Sequence, residues 1–525
     1  MFTGYDDYSA MGRVPSTHWP ALGFWFLLIV PVIAGAIYGP IVYRFAPEAR
    51  GHGVPEVMYA VSFKGGRIAP QVSLVKALAS ALCIGGGGSV GREGPIVQIG
   101  SAVGSTFGRL LRMDVARVRL LVACGAAGGI SATFNTPLAG AFFAMELILR
   151  DFAVESFGAV VLSSVAASVV GRSLLGDNPF LSLPAFNLRH PAEYLLYLAL
   201  GVAVGIIGVV YSKVLYLIED VCDRVWRGPE WARPAVGGVL LGALLIALPQ
   251  MYGVGYPVLH HAIHGQYLIG MLLILMVGKM VASGLTIGIG GSGGVFAPTL
   301  FIGATAGTAF GIIVHDLFPH ITENPSAYGL IGMGAALGGA TRAPITAVII
   351  VFELTGQYSI ILPLMAAVVV AAGVARLLSR DTIYTAKLWR RGIDLDAPKP
   401  TPNAREIARP RPEPLLNNDS VDCALVAGSK TRLDLMPVVG DDGNYLGCVS
   451  IRELKAASAD ASPPETVSDL LAHPPTVSAE AKLAEILGAL RGHGGTGLPV
   501  TEADGSTLIG WITYEAVFEH IDTGR

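Results

Sequence analysis

Residues 281–314 run for 34 positions without a charged side chain, yet Gly288, Gly290, Gly291, Gly293, Gly294 and Pro298 punctuate the run. A helix needs about 20 apolar residues to cross the hydrocarbon of a bilayer. This stretch is therefore too long for one span and too interrupted for a continuous one. Backbone that leaves the helix at membrane depth loses its internal hydrogen bonds, which is tolerated only where protein or a cavity covers the freed groups. Broken helices of this kind are typical of transporters and channels. Further uncharged runs lie at 21–43, 120–145, 234–259 and 355–375, with shorter ones at 156–171 and 194–212. The first starts late and lacks a basic lead, unlike a cleavable signal peptide.

Charge divides the chain in two. Residues 1–395 hold 45 charged side chains and residues 396–525 hold 30. The second density is close to the quarter that is usual in globular domains, and the first is far below it. The reading is a membrane domain over 1–395, a polar, Pro-rich linker over 396–414 and a soluble part over 415–525. Net charges of +5 and −8 give no case for nucleic acid as a partner. The cluster Arg376, Arg380, Lys387, Arg390 and Arg391 follows the last long run. By the positive-inside rule it puts the soluble part in the cytoplasm, and the protein in the cell (inner) membrane as a multi-pass component of the bilayer. The five cysteines show no pairing pattern and suggest neither disulfides nor a metal site.

Three blocks repeat in order. Gly51-His52-Gly53-Val54-Pro55 recurs as Gly253-Val254-Gly255-Tyr256-Pro257, an offset of 202. Gly91-Arg92-Glu93-Gly94-Pro95 lies opposite Gly294-Val295-Phe296-Ala297-Pro298 at 203, and the pairs Pro137/Pro344 and Glu146/Glu353 both differ by 207. Weak internal symmetry of this sort marks duplicated transporter folds with a site between the halves. In the second half a span at 193–223 precedes the one at 234–259, whereas nothing apolar precedes 21–43. The first copy thus appears without its first helix, so that either the chain start lies further upstream or the protein does without that helix.

The chemistry of the blocks suits an anion. A bare anion in low dielectric faces a Born cost of tens of kcal/mol. A helix N-terminus offers unpaired N–H groups and partial positive charge, worth roughly 0.3–2 kcal/mol each, so several must converge. Glycine lets the backbone approach the ion, and proline in the first turn removes no needed donor. Dipoles, unlike Lys or Arg, also bind weakly enough for the ion to leave. Glu93 among such ends can act as a tethered anion that occupies the site when ionised and leaves it when protonated; the bland alternative is a first-turn Glu capping its own helix.

Residues 20–395 resemble the CLC family of chloride channels and chloride/proton antiporters, on the strength of residues 51–55, 91–95 and 294–298 in that order and of Tyr384 in Asp381-Thr382-Ile383-Tyr384. The resemblance implies an all-α polytopic membrane fold with inverted repeats and broken helices, assembled as a homodimer with one anion pathway per subunit. It implies that chloride is held by His52, Gly53, Arg92, Gly94, the N–H groups of Val295 and Phe296, and the hydroxyl of Tyr384. Glu93 would be the gate and, with Glu146, part of a proton route. Arg92 fits a steering charge and an interface residue equally well.

Two departures bear on mechanism. Many members carry serine where this chain has His52, and nitrate-selective ones tend to carry proline. Proton-coupled members usually have two adjacent glutamates after the segment matching 135–140, and here Glu146 is followed by Leu147. The intact Glu93/Tyr384 set favours chloride/proton antiport; Leu147 favours a passive chloride channel; and the repeat partner Glu353 gives Glu146 a structural reading beside the proton route. Tyr384 argues against the fluoride-handling relatives, and the apolar runs lack the acidic pore of a cation transporter. Gly290-Gly291-Ser292-Gly293 fits an intramembrane serine protease, but Ser292 is explained by its repeat partner Ser89, so no enzymatic activity is expected.

Beyond the linker, Leu435-Met436-Pro437-Val438-Val439 leading to residues 446–450 reads like Gly497-Leu498-Pro499-Val500 leading to residues 509–513. Two strand–turn–strand–helix units of this kind resemble an α/β tandem CBS pair. Such pairs often bind adenine nucleotides through a Ser/Thr followed three residues later by Asp. Here Ser450 is followed by Glu453 and Thr513 by Ala516, so a structural or dimer-stabilising role stands beside nucleotide binding, and no cofactor is otherwise implied.

Overall fold

Glycine and proline, more than hydropathy, decide where the membrane helices stop. The computed structural model describes residues 16, 18–176, 189–322, 324–395, 402–431, 433–460, 464–493 and 495–523, in two units, Met1–Leu395 and Asp396–Arg525.

In the first unit α1 (Trp25–Phe45), α2 (Val54–Phe63), α3 (Gln71–Gly85), α4 (Glu93–Leu110), α5 (Val115–Phe134), α6 (Pro137–Phe143) and α7 (Val154–Leu175) form one half. The other half comprises α8 (Glu193–Val225), α9 (Arg233–Ala247), α10 (Tyr256–Ile263), α11 (Ile269–Gly288), α12 (Phe296–Leu317), α13 (Pro325–Thr341), α14 (Pro344–Thr355) and α15 (Ile361–Leu378), with α16 (Thr385–Trp389) closing the unit. Among the described residues, seven helical segments are long and apolar enough to cross a membrane. The order α1–α7 is matched by α9–α15, and the question of a first-half counterpart to α8 falls on residues 1–15, outside the described residues.

The apolar runs do not map one to one onto helices. The run 120–145 breaks at Asn135, which is left-handed (φ 58°), and restarts at Pro137, the first residue of α6. The second half repeats this at Arg342 (φ 55°) and Pro344. The run 234–259 parts between α9 and α10, and 281–314 between α11 and α12. Conversely, the short run 194–212 lies inside the 33-residue α8, whose last turns carry Glu219, Asp220 and Asp223. Close helix pairs rest on missing side chains: a Cβ on Gly100 would strike the backbone of Gly125, and one on Gly303 that of Gly332. Through these contacts α4 packs on α5 and α12 on α13, and α12 is buried along most of its length.

The second unit holds α17 (Ala404–Ile407), then β1 (Leu415–Leu416), α18 (Val421–Ser429), β2 (Leu435–Val439), β3 (Tyr445–Ser450) and α19 (Ile451–Ser458), and a second copy made of β4 (Val477–Ser478), α20 (Leu483–His493), β5 (Gly497–Thr501), β6 (Leu508–Thr513) and α21 (Tyr514–Thr523). In each copy the first strand pairs parallel to the second and the second antiparallel to the third. The copies exchange their lead-in segments: Arg409 bridges to Trp511 of the second copy, and Ala472 to Cys448 of the first. Part of the segment read as a linker, residues 403–409, meets packed structure. Asn403 caps α17, and Ala404 and Ile407 are buried in the core of the second copy, so a segment that looks like spacer by composition is packed structure. Residues 396–401 of that linker lie outside the described residues.

Candidate functional site

The glycine-rich loops of the two halves cross at one place. Gly91 N–H donates to Gly294 O at 2.7 Å and Gly294 N–H to Gly91 O at 2.6 Å. Beside them Gly51 N–H donates to Gly291 O at 3.0 Å and Gly293 N–H to Gly51 O at 3.3 Å. These bonds fix the starts of α2, α4 and α12 against one another, and the first N–H groups of each helix have no partner within it. A Cβ on Gly94 would collide with the carbonyl of His52, and one on Gly53 would meet Gly94 O at 2.9 Å. Gly53 also has φ of +83°, a conformation that glycine supplies at no steric cost.

Glu93 is buried at this crossing. Its carboxylate folds back over the Cα of Gly91, where a methyl group would collide with it. Oε1 accepts from the hydroxyl of Tyr256 at 2.5 Å, and Oε2 from the N–H of Ala297 in the first turn of α12 at 3.4 Å. Arg92, half-buried beside it, donates to Thr133 O at 3.3 Å and lies 5.7 Å from the centroid of the Tyr256 ring. Val295 and Phe296 begin α12, both buried, with the Phe296 ring 6.1 Å from Phe134 and 6.4 Å from Phe143.

His52 is also buried, and neither ring nitrogen has a hydrogen-bond partner among the described residues. Its ring meets Tyr216 edge-on at 6.2 Å, and the Tyr216 hydroxyl donates to Ile383 O at 2.6 Å, next to buried Tyr384. Tyr216 in turn lines a cavity of about 600 Å³ that Arg50, Glu219, Lys387 and Arg391 also face. Its cations are paired: Lys387 with Glu219 at 3.5 Å, Arg391 with Glu56 at 2.7 Å, Arg50 with Glu230 at 2.8 Å, and Arg390 with Asp220.

Glu146 stands apart from Glu93. It sits in the π-helical turn Ala144–Leu149 and accepts from Ile345 N–H at 3.2 Å, Thr346 N–H at 2.8 Å and the Thr346 hydroxyl at 2.7 Å. It therefore caps the start of α14. Glu353 does the same for α6, accepting from Leu138 N–H at 2.9 Å and Ala139 N–H at 2.7 Å. Ser292 donates to Ala49 O at 2.8 Å and ties the loop before α12 to the loop before α2.

Three residues of the site were not singled out from the sequence. Tyr256 was noticed only as part of a repeat. Lys76 and Lys279 are fully buried and hold the loops ahead of α2 and α10; Lys76 Nζ donates to Ala49 O at 2.9 Å and Gly51 O at 2.7 Å, and Lys279 Nζ to Gly253 O at 3.1 Å and Val254 O at 2.9 Å. Their separation of 203 is the repeat offset, which was the available signal.

Residues 34–376 match the family model described as voltage gated chloride channel. The chain belongs to that family. Residues 467–523 match the CBS domain model, and the first copy in the C-terminal unit shares its strand order. Over 378 residues the chain is 34% identical to a ClcB-like chloride channel protein of Ralstonia nicotianae, covering 71% of this chain and 88% of that one. Over 360 residues it is 35% identical to the H(+)/Cl(-) exchange transporter ClcA of Vibrio cholerae, covering 67% and 76%. A slow cyanobacterial Cl-/H+ antiporter has a similar structure, with a TM-score of 0.65 at 27% identity over 71% of this chain and 88% of that one. As a member of the voltage gated chloride channel family the chain is a multi-pass membrane protein of a transporter and channel family.

Proposed function

We propose that the protein moves chloride across the membrane and that protonation of Glu93 opens its path, exchanging chloride for protons. The observation that carries this reading is the place of the Glu93 carboxylate, between the starts of α4 and α12 and bonded to Ala297 N–H. It lies where helix ends favour an anion, so an ionised side chain and a chloride compete for the same donors. His52, Gly53, Arg92, Gly94, Val295, Phe296 and Tyr384 surround the route in this reading, and a neutral His52 offers the ion an N–H that no group among the described residues takes up. Both helix ends and Glu93 come from one chain, which supports one pathway per subunit of a homodimer. The basic cluster at 376–391 supports a cytoplasmic C-terminal unit and placement in the inner membrane. In that unit Ser450 caps α19 and the Thr513 hydroxyl accepts from Ala516 N–H at 3.2 Å, which favours a structural role for the CBS pair over nucleotide binding.

A second reading, a passive chloride channel, draws support from Leu147 and from the engagement of Glu146 with α14. Purified protein in liposomes separates the two. With a chloride gradient imposed, antiport predicts uphill proton movement that stops in Glu93→Gln, while chloride flux persists and loses its pH dependence. Chloride flux without proton movement in the parent protein would leave the channel; pH dependence surviving Glu93→Gln would remove Glu93 from the gate.

A further inference from the structure

The shortest contact of the Glu93 carboxylate is with a residue of the opposite half. Tyr256 opens α10, and its hydroxyl reaches Oε1 at 2.5 Å, whereas the amide of Ala297 stands 3.4 Å from Oε2. The phenol is itself firmly placed. Its backbone follows Gly255, a turn at φ +89°, and the preceding carbonyls of Gly253 and Val254 are tied to Lys279. Arg92 stacks on the ring from one side. The scaffold does not demand a hydroxyl here, because the equivalent position of the first half is Val54.

We propose that Tyr256 is a positioning residue that latches the Glu93 carboxylate across the anion path, so that it sets the pH at which the path opens. This rests on the reading of Glu93 as the gate. An O–H donor to a carboxylate favours its ionised form, and such charge-assisted bonds are about twice as strong as neutral ones. The other charged or titratable groups that face Glu93 are Arg92 on its own helix cap, Lys279 from α11 and Tyr384 ahead of α16. From α12 it meets only backbone N–H. The polar groups of neighbouring α2 and α3 are engaged elsewhere, Glu56 with Arg391 and Lys76 with the carbonyls of residues 49 and 51. His52 precedes α2. Among the described residues Tyr256 is the one side chain hydrogen-bonded to the carboxylate.

The test is chloride efflux from liposomes as a function of pH. Tyr256→Phe keeps the ring and removes the donor, so the ionised gate loses support and the midpoint of the pH profile rises by about one unit, a tenfold change in the protonation equilibrium. Incorporating 3,5-difluorotyrosine at 256 strengthens the donor and lowers the midpoint, a result that a folding defect cannot imitate. In a Glu93→Gln background, Tyr256→Phe leaves the flux–pH curve unchanged. A Tyr256→Phe profile that superimposes on the parent's while Glu93→Gln is flat overturns the latch alone. A shift of the same size in the Glu93→Gln background also overturns it, because Tyr256 would then act on something else. pH dependence that survives Glu93→Gln by itself overturns the gate, and the latch with it.

Discussion

The two halves of the membrane unit share a scaffold and differ in the few side chains aimed at its centre. Each half ties the loop before a short helix to a buried ammonium, Lys76 in one and Lys279 in the other. Both break a helix at a left-handed residue two positions before a proline, at Asn135 and at Arg342. Each also lends a glutamate to cap a helix of the other. At the crossing the register is residue for residue, yet Glu93 stands opposite Phe296, His52 opposite Val254 and Tyr256 opposite Val54. Duplication thus supplies converging helix ends, and substitution at those positions supplies a titratable group, an imidazole and a phenol. What the halves have in common should be needed for folding; what they do not share should be needed for transport.

The crossing glycines put that division under the greatest strain. Gly91 and Gly294 are equivalent and hydrogen-bonded to each other, but an added methyl meets different things. At 294 it would stand 2.7 Å from Gly94 N, a backbone atom with nowhere to go. At 91 it would meet the carboxylate of Glu93, the far end of a flexible side chain, and stand 3.0 Å from Ala297 Cβ, a contact relieved by a shift of a few tenths of an ångström. Gly294→Ala should therefore cost about 3 kcal/mol or more and yield little folded protein. Gly91→Ala should fold and drive the carboxylate out of its place, giving chloride flux that no longer depends on pH. Size-exclusion chromatography and liposome flux measure the two outcomes, and equal loss of folded protein in both would erase the distinction.

The buried lysines are the next test. Replacing Lys279 by Met takes from the Gly253 and Val254 carbonyls their lysine donor, at about 1–3 kcal/mol each, whereas Ala49 O and Gly51 O keep Ser292 Oγ and Gly293 N–H when Lys76 is replaced. If the lysines belong to the shared scaffold, both variants should lower thermal stability in detergent, Lys279→Met by about 2–6 kcal/mol and Lys76→Met by less. Lys279 Nζ also donates to Ser89 Oγ at 2.9 Å and lies 5.2 Å from the Phe301 ring centroid. A variant that retains full stability but loses flux would make its lysine part of the ion path.

The sequence carried much of this arrangement, because the same loops occur twice with glycine and proline at fixed places. The order of the blocks, their convergence and the paired units of the tail were readable from spacing. Helix ends inside the membrane were not. A search for uncharged runs does not see them, and the run 120–145 stays free of charge straight through Asn135 and Pro137. Lys76 and Lys279 were passed over because a charge in an apolar stretch reads as the end of a span, whereas here carbonyls released by the loops solvate each ammonium. Tyr256 could not be read as a partner of Glu93, since 163 residues separate them and only the fold joins them. Residues 403–409 looked like a linker because their buried contacts, Ala404 and Ile407, are too few to shift the composition.

The finest separation concerns Glu146 and Glu353. Each caps a helix across the repeat, and caps of this type contribute about 0.5–2 kcal/mol. Glutamine keeps one acceptor and loses the charge that the helix end favours, so Glu146→Gln and Glu353→Gln should each lower stability by about 1 kcal/mol, alike within error. If capping is the whole role of Glu146, both variants keep the parent's ratio of chloride to protons moved. Loss of that ratio in Glu146→Gln alone, at unchanged stability, would show that the pair is symmetric in place and not in use. It would return Glu146 to the proton route despite Leu147 and move the boundary between scaffold and chemistry to include the turn after α6. Retention in both would confine the asymmetric chemistry to the crossing, where Glu93, His52 and Tyr256 lie.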